Sequence, residues 1–255
     1  MAYAAAIPSY GPLCTYTVSA RGKDPHVPVF RFLRNQFGNL ALAEIDSLFG
    51  FVSQSPLYGG RAFVRPELSE RDVFQLNRSG IGLRLPLSNH YVDREEYERE
   101  RRLLARYHRG GNSVIVTNDE LARWIRSEFP LYRLDASVIK NIHTHAQIDA
   151  ALEVYDDIVL PMELSTDYEF LDRIEARDRV ILFANAGCAL TCPSRTCYAS
   201  ISRINKCRGG SVRCSRNLKP REQIGMVDFD LVPLLEMGYY KFKLLRPRPS
   251  GVTGY

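Results

Sequence analysis

The sequence predicts an α/β protein built as a TIM-barrel-like (β/α) barrel, whether complete, incomplete or distorted. Three observations predict it. Short apolar, β-branched runs recur about every 20–25 residues, as expected for parallel strands joined by helices. Helix-like segments with cap residues lie between those runs. Polar residues follow the runs directly, where a barrel carries its functional loops. A chain of 255 residues is a normal length for one such barrel.

Taken in order, residues 27–33 (VPVFRFL) read as an early strand, and 41–51 contain a short amphipathic stretch. Residues 55–61 (SPLYGGR) read as a loop, because adjacent glycines permit positive φ. Residues 81–87 (IGLRLPL) alternate as a strand does and lead into Ser88, Asn89 and His90. Residues 93–109 predict a charged helix, capped by Asp93 and stopped by Gly110 and Gly111. Its buried face is expected to hold Leu103, Leu104 and Tyr107.

Residues 113–117 (SVIVT) have the β-branched character of a buried parallel strand. Asn118 then caps a helix over 119–129, which Pro130 ends. The same logic predicts strands over 131–138, 157–161 and 179–184, with helices over 147–155 and 167–177. A helix over 229–237, a stop at Gly238 and a strand over 239–245 close the pattern. The expectation is one barrel domain over residues 1–246, containing a cysteine-rich loop at 185–221, and a flexible tail at 247–255. The polar residues expected at the barrel mouth are Ser88, Asn89, His90, Asn118, Asp119, Lys140, Asn141, Glu163 and Asn185. A bland alternative makes Asn118 and Ser165 simple helix caps.

The hydrophobic fraction of 45% is that of an ordinary globular protein. No apolar run reaches the roughly 18–20 residues needed to cross a bilayer, so no membrane partner is expected. The opening MAYAAAIP lacks a basic start and a sustained apolar core, and reads as mature protein. The default compartment is then cytoplasmic, where thiols stay reduced.

Five of the six cysteines fall in one segment: Cys188, Cys192, Cys197, Cys207 and Cys214. In a reducing compartment such clustering points to metal or redox chemistry rather than to disulfides. Four converging thiolates can hold an iron–sulfur cluster or a structural zinc ion. The spacing C-x3-C-x4-C-x9-C-x6-C matches neither the radical-SAM pattern, nor paired zinc-ribbon knuckles, nor a thioredoxin-like C-x2-C. A 4Fe–4S cluster is the favoured cofactor and zinc the alternative. Five candidates for four positions leave one thiol over, as a redox group or a buried bystander. Cys14 is remote and reads as an isolated thiol.

The net charge is +5, but it is unevenly placed. Between Ser194 and Arg221 every charged residue is basic: Arg195, Arg203, Lys206, Arg208, Arg213, Arg216, Lys219 and Arg221. Such a segment suits a solvated loop, a counterweight to thiolates, or capture of an anionic small molecule or RNA. His143 and His145 lie near a strand end and are weaker candidates. No serine-hydrolase elbow, zincin helix or Walker loop is present.

The runs DIVLPMELSTDYEFL (157–171) and FANAGCALTCPSR (183–195) resemble the collagenase-like peptidase U-thirty-two superfamily, above all its short barrel-only members. Residues 55–61, 82–89, 136–137 and 238–243 are similar as well, so the likeness spans about 40–246. The resemblance implies a TIM-barrel-like fold and a cysteine-ligated 4Fe–4S cluster. It also implies kinship with proteins of oxygen-independent hydroxylation, which act on ubiquinone precursors or RNA and in some cases pair two related barrels. On this likeness Cys188 and Cys192 match the first motif, and Cys207 and Cys214 a later, looser pair. Cys197 stands where relatives often carry His, which leaves it as a substitute ligand or a catalytic candidate. The likeness is to members without the extra C-terminal domain of the longer RNA-modifying ones, which makes an RNA substrate the lesser expectation.

The leading expectation is therefore an iron–sulfur barrel enzyme, or one subunit of a heterodimer or homo-oligomer. Its reaction would be oxygen-independent hydroxylation or a related redox modification of a small molecule or RNA. Arg195, Arg203, Arg216, Asn89 and Asn185 are the candidate substrate-binding residues; His90, Glu163 and Cys197 are the candidate catalytic ones. Two alternatives stand beside it. One is a zinc- or cluster-stabilised binding module whose basic loop holds nucleic acid or an acidic partner. The other is a metal-dependent peptidase or hydrolase.

Overall fold

The computed structural model describes residues 14–192, 195–206, 210–214 and 227–245. Eight parallel strands close into a barrel: β1 (Thr15–Ser19), β2 (Ile45–Phe49), β3 (Gly82–Leu85), β4 (Ser113–Val116), β5 (Arg133–Ala136), β6 (Asp157–Val159), β7 (Val180–Phe183) and β10 (Lys241–Leu244). The last strand pairs with both β1 and β7, so among these eight there is no free edge. A short antiparallel pair, β8 (Asn185–Ala186) and β9 (Val227–Asp228), sits beside the end of β7. Helices alternate with the strands: α1 (Val29–Phe37), α2 (Glu70–Arg78), α3 (Arg94–Tyr107), α4 (Asp119–Glu128), α5 (His145–Leu152) and α6 (Tyr168–Asp172). Two more, α7 (Thr196–Asn205) and α8 (Val232–Glu236), lie between β7 and β10. Among the described residues no helix is long and apolar enough to cross a membrane.

Most expected elements form within a few residues of their expected bounds. Asp93, Asn118 and Thr144 each accept a first-turn backbone N–H, which starts α3, α4 and α5. Gly111 and Gly238 take the positive φ that their stops require. One expectation is corrected: residues 27–33 form no strand. Val29, Phe32, Leu33 and Phe37 are the buried positions of α1, a helical spacing that outweighs the local β-branched character. The first barrel strand is instead β1, whose Tyr16 and Val18 are buried among the helices. The amphipathic stretch at 41–51 resolves into a 3-10 turn, Leu42–Glu44, followed by β2. The helices over 167–177 and 229–237 are shorter than expected, and the tail at 247–255 lies outside the described residues.

Side chains alternate across each strand. Val18, Leu83, Leu85, Val114, Val116, Leu134, Ala136, Ile158, Leu182 and Leu244 pack outward with the helices in one large core. The opposite face points into the barrel and is strongly polar. Arg84 of β3 reaches Thr17 of β1 at 2.6 Å, Ser113 of β4 at 3.0 Å and Asp135 of β5 at 2.9 Å. Strands that are not neighbours meet in this way only through the barrel interior. Asp157 of β6 accepts from Lys241 at 2.8 Å and pairs with Arg133. A smaller apolar group fills the rest of the interior: Ile115, Val159, Ile181, Phe183 and Met162.

Above the barrel two loops touch at the backbone. A side chain at Gly59 would overlap the Ser88 carbonyl. Only a residue without Cβ lets the β2–α2 loop lie against the β3–α3 loop, and this contact shapes one wall of the mouth.

Candidate active site

Because the strands are parallel, the loops after their C-terminal ends gather at one mouth. A cavity of ≈ 690 Å³, its open entrance included, lies there. Phe49, Ile115, Met162, Phe183 and Leu245 give it apolar walls, and Ser19, Ser88, Ser137 and Tyr198 add hydroxyls. Arg21, Arg61 and Lys243 are its three cations, and no Asp, Glu or His is among its described lining residues. This is the mixture that a small-molecule site requires: an apolar enclosure with a few polar groups.

Each cation is set by the fold. Arg61 follows Gly60, which adopts φ of +77°. Its guanidinium is gripped by both oxygens of Glu67 and lies 4.1 Å from the Phe51 ring centroid. Burial would raise the Glu67 pKa, but Arg61 and the Phe51 and Gly22 amides outweigh it and hold the carboxylate ionised. Lys243 points inward from β10, with Nζ 4.8 Å from the Phe49 centroid and 5.6 Å from that of Phe183. Burial pulls its pKa down to about 7; Arg84 and Arg61 push the same way, and Asp135 opposes them.

Helix α7, in the segment expected as a cysteine-rich loop, straps the mouth. Its N-terminal end is fixed on the β5–β6 side, where Arg195 binds Glu163 and Asn141. Its C-terminal end is fixed on the β2–β3 side. Asn89 Nδ2 donates to the carbonyls of Pro56 (2.8 Å), Tyr58 (3.0 Å) and Ser202 (2.9 Å). Asn205 Nδ2 donates to Tyr58 and Arg61 carbonyls at 3.0 Å each, and Lys206 pairs with Glu96 at 2.5 Å. Tyr198 from this helix lines the cavity.

The expected site residues divide accordingly. Asn89 and His90 hold α7: His90 Nδ1 lies 3.0 Å from Ser202 Oγ, and burial lowers the His90 pKa. Glu163 meets His143 Nε2 at 2.9 Å as well as Arg195; burial would raise its pKa, but these bonds hold it below the usual carboxylate value. Asn185 exchanges hydrogen bonds with the Leu245 backbone at 3.1 and 2.8 Å. Arg203 stacks over Tyr91 at 5.3 Å. Arg216 lies outside the described residues. None of these six described residues belongs to the cavity lining. Asn118 is a helix cap, as the bland reading has it. Ser165 is buried within the 3-10 turn Met162–Thr166 and caps nothing at its start.

Cys188 and Cys192 bracket a 3-10 turn, Cys188–Thr191, just past β8, and both are half-buried. Cys197 is buried in α7 with Tyr198 and Ile201, against Ile139 and Val212. Cys214 is half-buried, and its neighbour Arg213 donates its N–H to Ser200 of α7 at 3.0 Å. Cys207 lies outside the described residues. Among the described residues no three Cys, His, Asp or Glu side chains converge as metal ligands.

The sequence reading does not include Lys243, Arg61 or Tyr198 as site residues. A signal for Lys243 exists. Once 241–244 is a barrel strand, the period of two puts Lys241 and Lys243 together on the inner face, opposite Phe242 and Leu244.

A replacement follows from the α7 anchors. Asn89→Ala removes an amide that is fully buried; the Pro56 carbonyl loses this donor, while Tyr58 keeps Asn205 Nδ2 and Ser202 keeps the Lys206 N–H. We expect a loss of about 1–3 kcal/mol, read by urea unfolding. Faster amide exchange confined to 196–206 is expected with it.

A closed eight-stranded parallel barrel with a cavity at its C-terminal mouth defines a TIM-barrel-like protein. Among solved structures the chain is similar to the U32 peptidase Mk0906. The TM-score is 0.57 at 14% identity, over 95% of this chain and 95% of that one. At that identity the likeness is one of fold. No protein-family model and no curated protein matches the sequence.

Proposed function

We propose that this chain is a barrel enzyme, or one subunit of one, with its active site in the mouth cavity and an iron–sulfur cluster beside it. Cys188, Cys192, Cys207 and Cys214 would hold a 4Fe–4S cluster, with Cys197 as substitute ligand. The observation that carries this reading is that the cysteine segment and the strap over the cavity are the same piece of chain. Two of the expected ligands precede α7 and two follow it. The donor set suits the group: soft thiolates, in a segment rich in arginine that offsets their charge.

When bound, such a cluster supplies one-electron transfer. The chain's own residues do the rest. Phe49, Phe183 and Met162 exclude water, Arg21 and Arg61 attract an anionic substrate, and Tyr198 closes the cavity from above. The reaction class is oxygen-independent hydroxylation or a related redox modification of a small molecule or RNA, in the cytoplasm. A related barrel or a second copy of this chain is the partner.

Anaerobic purification with iron, sulfide and zinc analysis tests this. About four iron and four sulfide per chain are expected, with broad absorption near 400 nm that Cys188→Ala abolishes. Stoichiometric zinc without iron would turn the cysteines into a structural site. The basic segment would then be tested for RNA binding that falls with salt. A peptidase reading has the printed name of the structural neighbour as its support, and peptide hydrolysis by the same preparation would favour it.

A further inference from the structure

We propose that Lys243 is a nucleophilic amine that condenses with an anionic carbonyl compound, such as a 2-oxo acid, to form an imine in the mouth cavity. Each of the other described lysines has an acidic partner: Lys23 with Asp72, Lys140 with Asp119, Lys206 with Glu96, and Lys241 with Asp157. Lys243 has none among the described residues, although its side chain is almost fully buried. It is placed on a strand, which fixes its approach, and its Nζ opens on the cavity between two aromatic rings.

The surroundings favour the neutral amine before reaction and a neutral imine after it. The charged groups facing Lys243 are Arg84 and Asp135 inside the barrel, and Arg61 and Arg21 at the cavity wall. Burial and neighbouring guanidinium groups disfavour the ammonium, which is the usual way a lysine is made nucleophilic near neutral pH. The faces of Phe49 and Phe183 then flank the imine that forms. Arg21 and Arg61, the latter with Glu67 behind it, line the wall, and no carboxylate is among the described lining residues, so a substrate carboxylate meets no like charge in that lining.

The step balances without any further reagent. The Nζ lone pair attacks the carbonyl carbon. The carbonyl oxygen collects the two protons lost from nitrogen and leaves as water, and the C=N bond replaces the C=O bond. This inference rests on the mouth cavity being the active site. It does not depend on the cysteines carrying a cluster.

The test is reductive trapping. The full chain, purified anaerobically, is incubated with pyruvate and cyanoborohydride at neutral pH, then digested and mapped. About half of the Lys243 amines are unprotonated at pH 7, against less than about 0.1% for an ordinary lysine. Trapping at Lys243 is expected to exceed that at any other lysine by more than about five-hundredfold, and to rise with pH through a midpoint near 7. Lys243→Arg should remove that labelled peptide and no other. Label spread over surface lysines, or absent from Lys243 of the unaltered chain, would overturn the proposal, and this needs no variant to fold. A cluster-bearing protein that fails to label refutes Lys243 alone. A labelled protein without iron keeps Lys243 and refutes the cluster.

Discussion

Replacing Asp135 with alanine is expected to cost about 3–5 kcal/mol of unfolding free energy, enough to unfold many domains outright. Asp135 is fully buried on the inner face of β5 and faces Arg84 at 2.9 Å, whose side chain is 3% exposed. Burial pushes the Asp135 pKa up, and the Arg84 guanidinium beside it pulls the other way and favours the carboxylate. Removing it strands a guanidinium inside the barrel with only Thr17 and Ser113 as hydrogen-bond partners among the described residues. The cost comes from that abandoned charge rather than from the strength of the pair. The double replacement Arg84→Met, Asp135→Leu should therefore recover most of the loss. Denaturant unfolding of the two single variants and the double variant completes the cycle. Equal losses in the single and double variants would show that packing, not charge, sets the cost.

Lys243→Met should act in the opposite direction and stabilise the protein at pH 7. Replacing a buried ionic group by an apolar one of similar length gains about 1–4 kcal/mol where packing is kept. The pH dependence gives the sign. The folded-state pKa of about 7 lies below the ordinary 10.5. Between these values the unfolded chain binds the extra proton, so the unaltered protein gains stability as pH rises from 7. The variant lacks this slope. Its advantage should be largest at or below pH 7 and shrink by pH 9, as read by urea midpoints at both values. An advantage independent of pH would mean that Lys243 is not desolvated as described. A stabler protein that no longer traps pyruvate would be the expected trade between stability and function.

The barrel was legible because its signal is periodic. Runs such as SVIVT at 113–117, with Asn118 as a cap behind, carry strand and helix in a dozen residues. The exception at 27–33 shows where this fails. In seven residues an alternation of period two and a spacing of i, i+3, i+4 can be satisfied together, and only packing against the barrel decides. The site was less legible. Asn89 and His90 were located correctly at a strand end, but their side chains are spent on holding α7. Their partner Ser202 is 112 residues or more away, a distance at which no local pattern operates. Lys243 and Arg61 are common residue types whose meaning appears only once the barrel closes around them. The cysteines are the reverse case: conspicuous in sequence, with Cys207 outside the described residues.

The two ends of α7 are held by different chemistry. Arg195 and Glu163, which anchor one end, have side chains 17% and 35% exposed, while Asn89 and Ser202 at the other are fully buried. Dissolved ions reach and weaken the first contact and leave the second almost untouched. The helix is thus held by a salt-sensitive contact on the β5–β6 side and a salt-insensitive one on the β2–β3 side. Added salt should therefore loosen the Arg195 end of the helix before the Asn89 end.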